Sequence, residues 1–148
     1  MEESINIGLT DAIIEGLDLK KANPRQLSPL VLAYIGDCVY DLIIKTYLLD
    51  KKGNMPVNKI NKMASGLVKA QTQSGLIGII EDKLTEEEEA VYKRGRNAKS
   101  YTSAKNATIA DYRRATGFEA LIGYLYLKDE YSRMVELVKD ALKGYGEM

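Results

Sequence analysis

The feature that most constrains this chain is Ser28-Pro29 followed by the long apolar run from Leu30 to Leu49. Serine is a strong helix cap, and proline at the first helical position sacrifices no hydrogen bond. Apolar side chains at Val31, Ile35, Val39, Leu42 and Ile43 recur every three or four residues, the period of a helix. The pattern predicts a helix from Pro29 to about Leu49, ending before Lys51-Lys52-Gly53-Asn54. It is apolar on more than one side, so it is expected to be the central, mostly buried helix. Asp37, Asp41 and Lys45 interrupt it, which makes it a poor membrane span. Such a helix must be surrounded by other protein.

The rest of the chain supplies the surroundings. Residues 1–27 carry a short apolar pattern (Ile5, Ile7, Leu9, Ile13, Ile14, Leu17), read as a flexible start or a short helix before Asn23-Pro24. Pro56 opens a helical region through about Gln73, with Ile60, Met63 and Leu67 on one face and a break expected near Ser74-Gly75. Thr85 with Glu88 forms a capping box, and four glutamates fill the first turn of a helix ending near Gly95. A basic, turn-rich stretch follows, then helices over about Ile109–Leu127 and Glu130–Leu142, the last stopped by Gly144. Convincing strand alternation is missing. The expectation is an all-α helical bundle of five to seven helices, with residues 1–148 forming a single domain.

The inventory of reactive groups is narrow. There is no histidine, and Cys38 is the single cysteine. Histidine-based acid–base chemistry, His-ligated zinc and multi-thiolate metal sites are therefore excluded, as is a disulfide scaffold. Catalysis would have to use carboxylates, a bound metal, hydroxyls or Lys and Arg. The N-terminus, MEESINIG, is acidic where a signal peptide would be basic, which points to a soluble cytoplasmic protein.

Lys plus Arg equals Asp plus Glu at 21 each, yet the charge is unevenly placed. Residues 1–50 carry net −4, residues 51–114 net +6, and residues 115–148 net −2. Between Lys93 and Arg114 lie seven basic side chains and one acid. A local cationic patch can steer a polyanion although the whole chain is neutral.

Three groups of residues are candidates for chemistry. Asp37, in LAYIGDCVYDL, sits in the most apolar helix, with Asp41 one turn later; a carboxylate buried there is costly unless paired or metal-bound. The alternative is a solvent edge, or pairing with Lys or Arg. Glu119, in TGFEALIGYLYL, is equally surrounded by apolar residues. Two such acids meeting between helices could share magnesium or manganese, which prefer hard oxygen ligands; a salt bridge to Arg113 or Arg114 is the competing arrangement. Gly36, Gly66, Gly117 and Gly123 each cost about 1 kcal/mol relative to alanine in a helix, and suggest close helix approach. Gly36, next to Asp37, would bring that acid toward the Glu119 helix. Finally, Lys93, Arg94, Arg96, Asn97, Lys99, Ser100 and Lys105 combine cations with amides and hydroxyls that suit phosphate and ribose, unless the run is only a solvated face.

Taken together, LAYIGDCVYDL, YKRGRNAKS and YRRATGFEALIGYLYL resemble the Mini-III subfamily of the ribonuclease III endonucleases over roughly residues 26–142. Asp37 matches the aspartate of the first family signature and Glu119 the glutamate of the second. Ala33 and Thr116 stand where the wider family has two further acids, a reduced set expected of Mini-III proteins. The resemblance implies an all-α homodimer that cuts double-stranded RNA with magnesium, or manganese in its place, held by Asp37 and Glu119, with Asp41 a further candidate. It implies 5′-phosphate and 3′-hydroxyl products, and maturation of both ends of the large-subunit (23S) ribosomal RNA precursor with help from a ribosomal protein. With the chain ending at Met148, no double-stranded-RNA-binding domain is expected, so the basic patch or a partner would hold the substrate. Ala33 and Thr116 leave open a non-catalytic RNA-binding protein on the same fold, and a helical protein-interaction module would have no RNA role at all.

Overall fold

The computed structural model describes residues 8–99 and 108–148. These form α1 (Leu9–Gly16), α2 (Pro29–Lys52), α3 (Val57–Val68), α4 (Ala70–Ile80), α5 (Glu86–Asn97), α6 (Ile109–Leu127) and α7 (Tyr131–Tyr145), with single 3-10 turns at Pro24–Gln26 and Glu81–Lys83. No strand occurs among the described residues, and none of their helices is long and apolar enough to cross a membrane. The all-α expectation holds.

Helix starts follow the sequence closely. The Ser28 hydroxyl accepts the Val31 N–H ahead of Pro29, and Thr85 and Glu88 close the capping box reciprocally. Several stops differ from expectation. α2 runs on through Lys51 and Lys52 to a cap at Gly53, and α5 runs two residues past Gly95 to Asn97. α7 runs on to Tyr145 and ends at Gly146, whose φ of 91° only glycine adopts cheaply. Gly144 instead lies within the helix, where a Cβ would come to 2.5 Å from Ile79. The region opened by Pro56 breaks at Lys69, which takes an extended conformation (φ −69°, ψ 156°), rather than near Ser74-Gly75. There is room to break because buried side chains satisfy the freed carbonyls. Thr72 donates to Gly66 O (2.6 Å), Tyr40 to Leu67 O (2.8 Å) and Gln73 to Val68 O (2.8 Å).

The central helix is α6, not α2. From Ala115 to Leu125 every residue except Glu119 is buried, and α2, α4, α5 and α7 all pack on it. Small residues make this possible. A Cβ on Gly36 would lie 1.8 Å from the Glu119 carbonyl oxygen, and one on Gly123 would lie 2.0 Å from Leu32 O, so α2 and α6 cross backbone to backbone. Gly95 of α5 meets Gly117 and Ala120 in the same way. Gly66, by contrast, faces open space. α2 buries Leu32, Gly36, Val39, Tyr40, Ile44 and Leu48 but leaves Val31, Tyr34, Cys38, Leu42 and Leu49 outside.

Candidate functional site

The glycine crossing determines which acids can meet. Because Gly36 rests against the backbone of Glu119, the next residue on α2, Asp37, is carried to the Glu119 side chain, and the two carboxylates come within hydrogen-bonding reach. Their surroundings are unlike. Asp37 is exposed, the solvent-edge alternative of the two left open by the sequence, because at 100° per residue it turns away from the Leu32–Gly36–Val39 face. Glu119 is half-buried at the one break in the otherwise buried surface of α6.

Burial pushes the Glu119 carboxyl up to about 8, and the neighbouring negative charge of Asp37 adds to the rise. A hydrogen bond from Gln73 Nε2 to Glu119 Oε2 (3.1 Å) opposes it. Burial, and then the charge on Glu119, likewise hold the Tyr40 hydroxyl protonated well above its usual range. Among the described residues no arginine pairs with Glu119. Arg113 is exposed, and the guanidinium of Arg114 lies over Gly78 of α4.

Asp41 does not join the pair; it is bound to Lys45 one turn along α2 (2.9 Å). Ala33 and Thr116 are both buried, and the Thr116 hydroxyl donates to Tyr112 O (2.9 Å). No cluster of three or more His, Cys, Asp or Glu side chains suited to a metal forms among the described residues. What is present among the described residues is two carboxyl groups, both hard oxygen donors, with no side-chain cation paired to them. Magnesium commonly needs only one or two carboxylates, with water and phosphate completing its shell, so the donor set fits it.

Sequence reasoning missed Gln73. It is 1% exposed, and both Nε2 contacts are to acceptors, while its Oε1 has no hydrogen-bond partner among the described residues. A buried unsatisfied acceptor costs about 1–3 kcal/mol, so this oxygen is conspicuous. The only sequence signal was the polar run Gln71-Thr72-Gln73-Ser74 ahead of the apolar second half of the same helix.

The basic residues lie on the last turn of α5 and just beyond. Lys93, Arg94, Asn97 and Lys99 are exposed, and Lys93 pairs with Glu89 (3.4 Å). Arg96 lies 5.6 Å over the Tyr92 ring and donates to the Asn97 side chain. Arg94 and Lys99 carry no ion pair among the described residues. Gly95, between Arg94 and Arg96, packs on Gly117 and Ala120, so this turn sits directly on α6. Ser100 and Lys105 lie outside the described residues.

A family model of the Ribonuclease III domain matches residues 30–130. Mini-ribonuclease 3 of Clostridium tetani is 52% identical over 132 residues, covering 89% of this chain and 87% of the relative. The chain belongs to the Mini-ribonuclease 3 family. Mini-ribonuclease 3 of Enterococcus faecalis is 46% identical, over 83% of this chain and 94% of that protein. A crystal structure of a protein from Fusobacterium nucleatum superposes with a TM-score of 0.73 at 30% identity, covering 82% of this chain and 96% of that one. Membership of the Mini-ribonuclease 3 family supports a nuclease of the ribonuclease III type, and the matched span contains Asp37 and Glu119.

Proposed function

We propose that the protein is a magnesium-dependent endoribonuclease that hydrolyses phosphodiester bonds in double-stranded RNA as a homodimer. Its products carry 5′-phosphate and 3′-hydroxyl ends, and its substrate is the 23S ribosomal RNA precursor, trimmed at both ends with a large-subunit ribosomal protein as helper. The observation that carries this reading is the meeting of the Asp37 and Glu119 carboxylates, from separate helices, with no side-chain cation among the described residues to neutralise them. Asp37 and Glu119 would hold the cation, with manganese able to substitute. When bound, the cation makes water nucleophilic at neutral pH and stabilises the leaving oxygen.

The chain's own residues do the rest. Exposed Asp37 opens the pair to a phosphodiester arriving from solvent, while half-buried Glu119 gives it a fixed wall. Lys93, Arg94, Arg96, Asn97 and Lys99, with Ser100 and Lys105, bind the RNA backbone. These contacts orient a duplex without reading its sequence. Homodimerisation is supported by the outward apolar face of α2. At 100° per residue, Val31, Tyr34, Cys38, Leu42 and Leu49 fall within an arc of about 80°. Asp37 stands about 60° beyond its edge, so a partner seated there would leave the carboxylates at the rim of the interface.

The test is cleavage of a structured RNA duplex with magnesium and then with EDTA. Asp37→Asn and Glu119→Gln are each expected to abolish cutting while circular dichroism shows an intact fold. Full magnesium-dependent activity in either variant would remove the site assignment. Retention of the duplex without any cutting by the parent protein would instead favour the non-catalytic reading, to which buried Ala33 and Thr116 give some support.

A further inference from the structure

Three consecutive carbonyls end α3, and each is satisfied by a buried side chain: Gly66 O by Thr72, Leu67 O by Tyr40 and Val68 O by Gln73. Of these three side chains, Gln73 also hydrogen-bonds the carboxylate pair, through Glu119 Oε2 at 3.1 Å. The break at Lys69 is what makes this reach possible, because it restarts the helix with Gln73 on its first turn, pointing inward. Both partners of Nε2 are acceptors, so the amide cannot flip without setting oxygen against oxygen. Its orientation is fixed. Oε1 is then left buried and unpartnered among the described residues. By amide geometry it lies within about 5 Å of the Glu119 oxygen that Nε2 holds.

We propose that Gln73 is a positioning residue for Glu119. Its N–H holds one carboxylate oxygen so that the group stays beside Asp37, where the pair would hold the divalent cation. Groups that orient a metal ligand typically change metal affinity by about 10–100-fold. The proposal rests on the nuclease reading of the Asp37–Glu119 pair.

Thr72 provides the control. Its hydroxyl supports the same break, yet it makes no hydrogen bond to Glu119. Gln73→Met keeps the volume and removes both hydrogen-bonding ends, and Thr72→Val removes only the support of the break. Manganese alone, without RNA, is titrated against the full-length parent, both variants and Glu119→Gln, followed by calorimetry and by the electron paramagnetic resonance of the free ion. Thermal melting is recorded in parallel, and kcat and KM are measured on duplex RNA. Gln73→Met is expected to weaken manganese binding about tenfold or more and to lower kcat with KM unchanged. Thr72→Val is expected to bind manganese as the parent does, whatever its melting temperature. Parent-like affinity in Gln73→Met, or an equal loss in Thr72→Val, overturns the positioning role while leaving the carboxylate pair in place. Manganese binding unaffected by Glu119→Gln overturns the pair and the inference with it.

Discussion

A single methyl group separates the tolerated glycines from those that build the site. At Gly36 the added Cβ would lie 1.8 Å from the Glu119 carbonyl oxygen and 2.8 Å from Gly123 N, and neither backbone atom can rotate away. At Gly66 nothing lies within 4 Å. Gly36→Ala is therefore expected to cost at least the upper end of the roughly 1–3 kcal/mol typical of overpacked cores, and to abolish cleavage by prising Asp37 from Glu119. Gly66→Ala is expected to gain up to about 1 kcal/mol, since it removes helix-interior flexibility at no steric cost, and to leave cleavage unchanged. Urea unfolding of both variants checks the signs, and destabilisation by Gly66→Ala would contradict the packing described. The meeting of the two acids was legible because Gly36 precedes Asp37 in an otherwise apolar helix. The exposure of Asp37 was not, since the run is apolar around so much of its circumference that composition could not say which side α6 would cover. Gln73 was illegible for a different reason: its role depends on a backbone break that no proline marks.

At the scale of elements, α5 shows how far a local motif reaches. The Thr85–Glu88 capping box is written in four residues, but the carboxylate of Glu88 does a second task. Arg133 on α7 holds it bidentately, at 2.9 Å to each oxygen, and donates to Lys83 O at 2.8 Å. This joins the start of α5 to α7, a pairing between distant segments that sequence spacing cannot reveal. Arg133→Met would leave the Glu88 carboxylate, whose side chain is 7% exposed, without its cation. The expected loss is about 3 kcal/mol, the low end for a broken buried pair because Arg133 itself touches solvent. Burial works against the charged form of Glu88, but the Arg133 and Thr85 hydrogen bonds outweigh it, so the group titrates below its ordinary 4.5. A carboxyl held low in the fold stabilises fully above the unfolded-state value and loses that contribution as pH falls through its folded value. The stability difference between the parent and Glu88→Gln should therefore be constant near neutrality and shrink below about pH 4.5. Thermal unfolding between pH 7 and 3 measures it, and a difference that grew with acid would refute the pairing.

For the whole molecule, the decisive fact is that α6 occupies the interior while α2 keeps one apolar face outside. The run from Leu30 to Leu49 reads as a central helix because its apolar residues exceed one face. In the fold one part of them covers α6, and the other is left uncovered by the described residues, with Leu42 54% and Leu49 63% exposed. Sequence periodicity reports that two faces are apolar but not whether the second meets the same chain. Charge is arranged on the same scale. Arg94 and Arg96 flank the Gly95 contact with α6, which ties the basic end of α5 to the helix that carries Glu119. Replacing both by alanine should weaken RNA binding and lower its salt dependence by about one unit of log–log slope for each phosphate no longer neutralised. An unchanged slope would reduce the run to a solvated helix end.

The outward face of α2 yields the sharpest of these tests, because it separates assembly from folding. Leu42 lies near the middle of the stripe's length and is 54% exposed, so placing a charge there costs a lone chain little. In a two-fold dimer the same position faces its own counterpart or a near neighbour, and two carboxylates then meet where apolar groups should exclude water. Leu42→Glu is expected to sediment as a monomer with unchanged helical circular dichroism. Asp37 stands beside the stripe rather than within it, so such a monomer would still bind manganese through Asp37 and Glu119. Its cleavage of a duplex would fall to single-strand nicks, since one site can reach only one strand at a time. A Leu42→Glu protein that sediments like a dimeric parent would place the interface elsewhere, and a parent that itself sediments as a monomer would remove the homodimer. One that unfolds outright would mean that this face is needed to fold α2 itself.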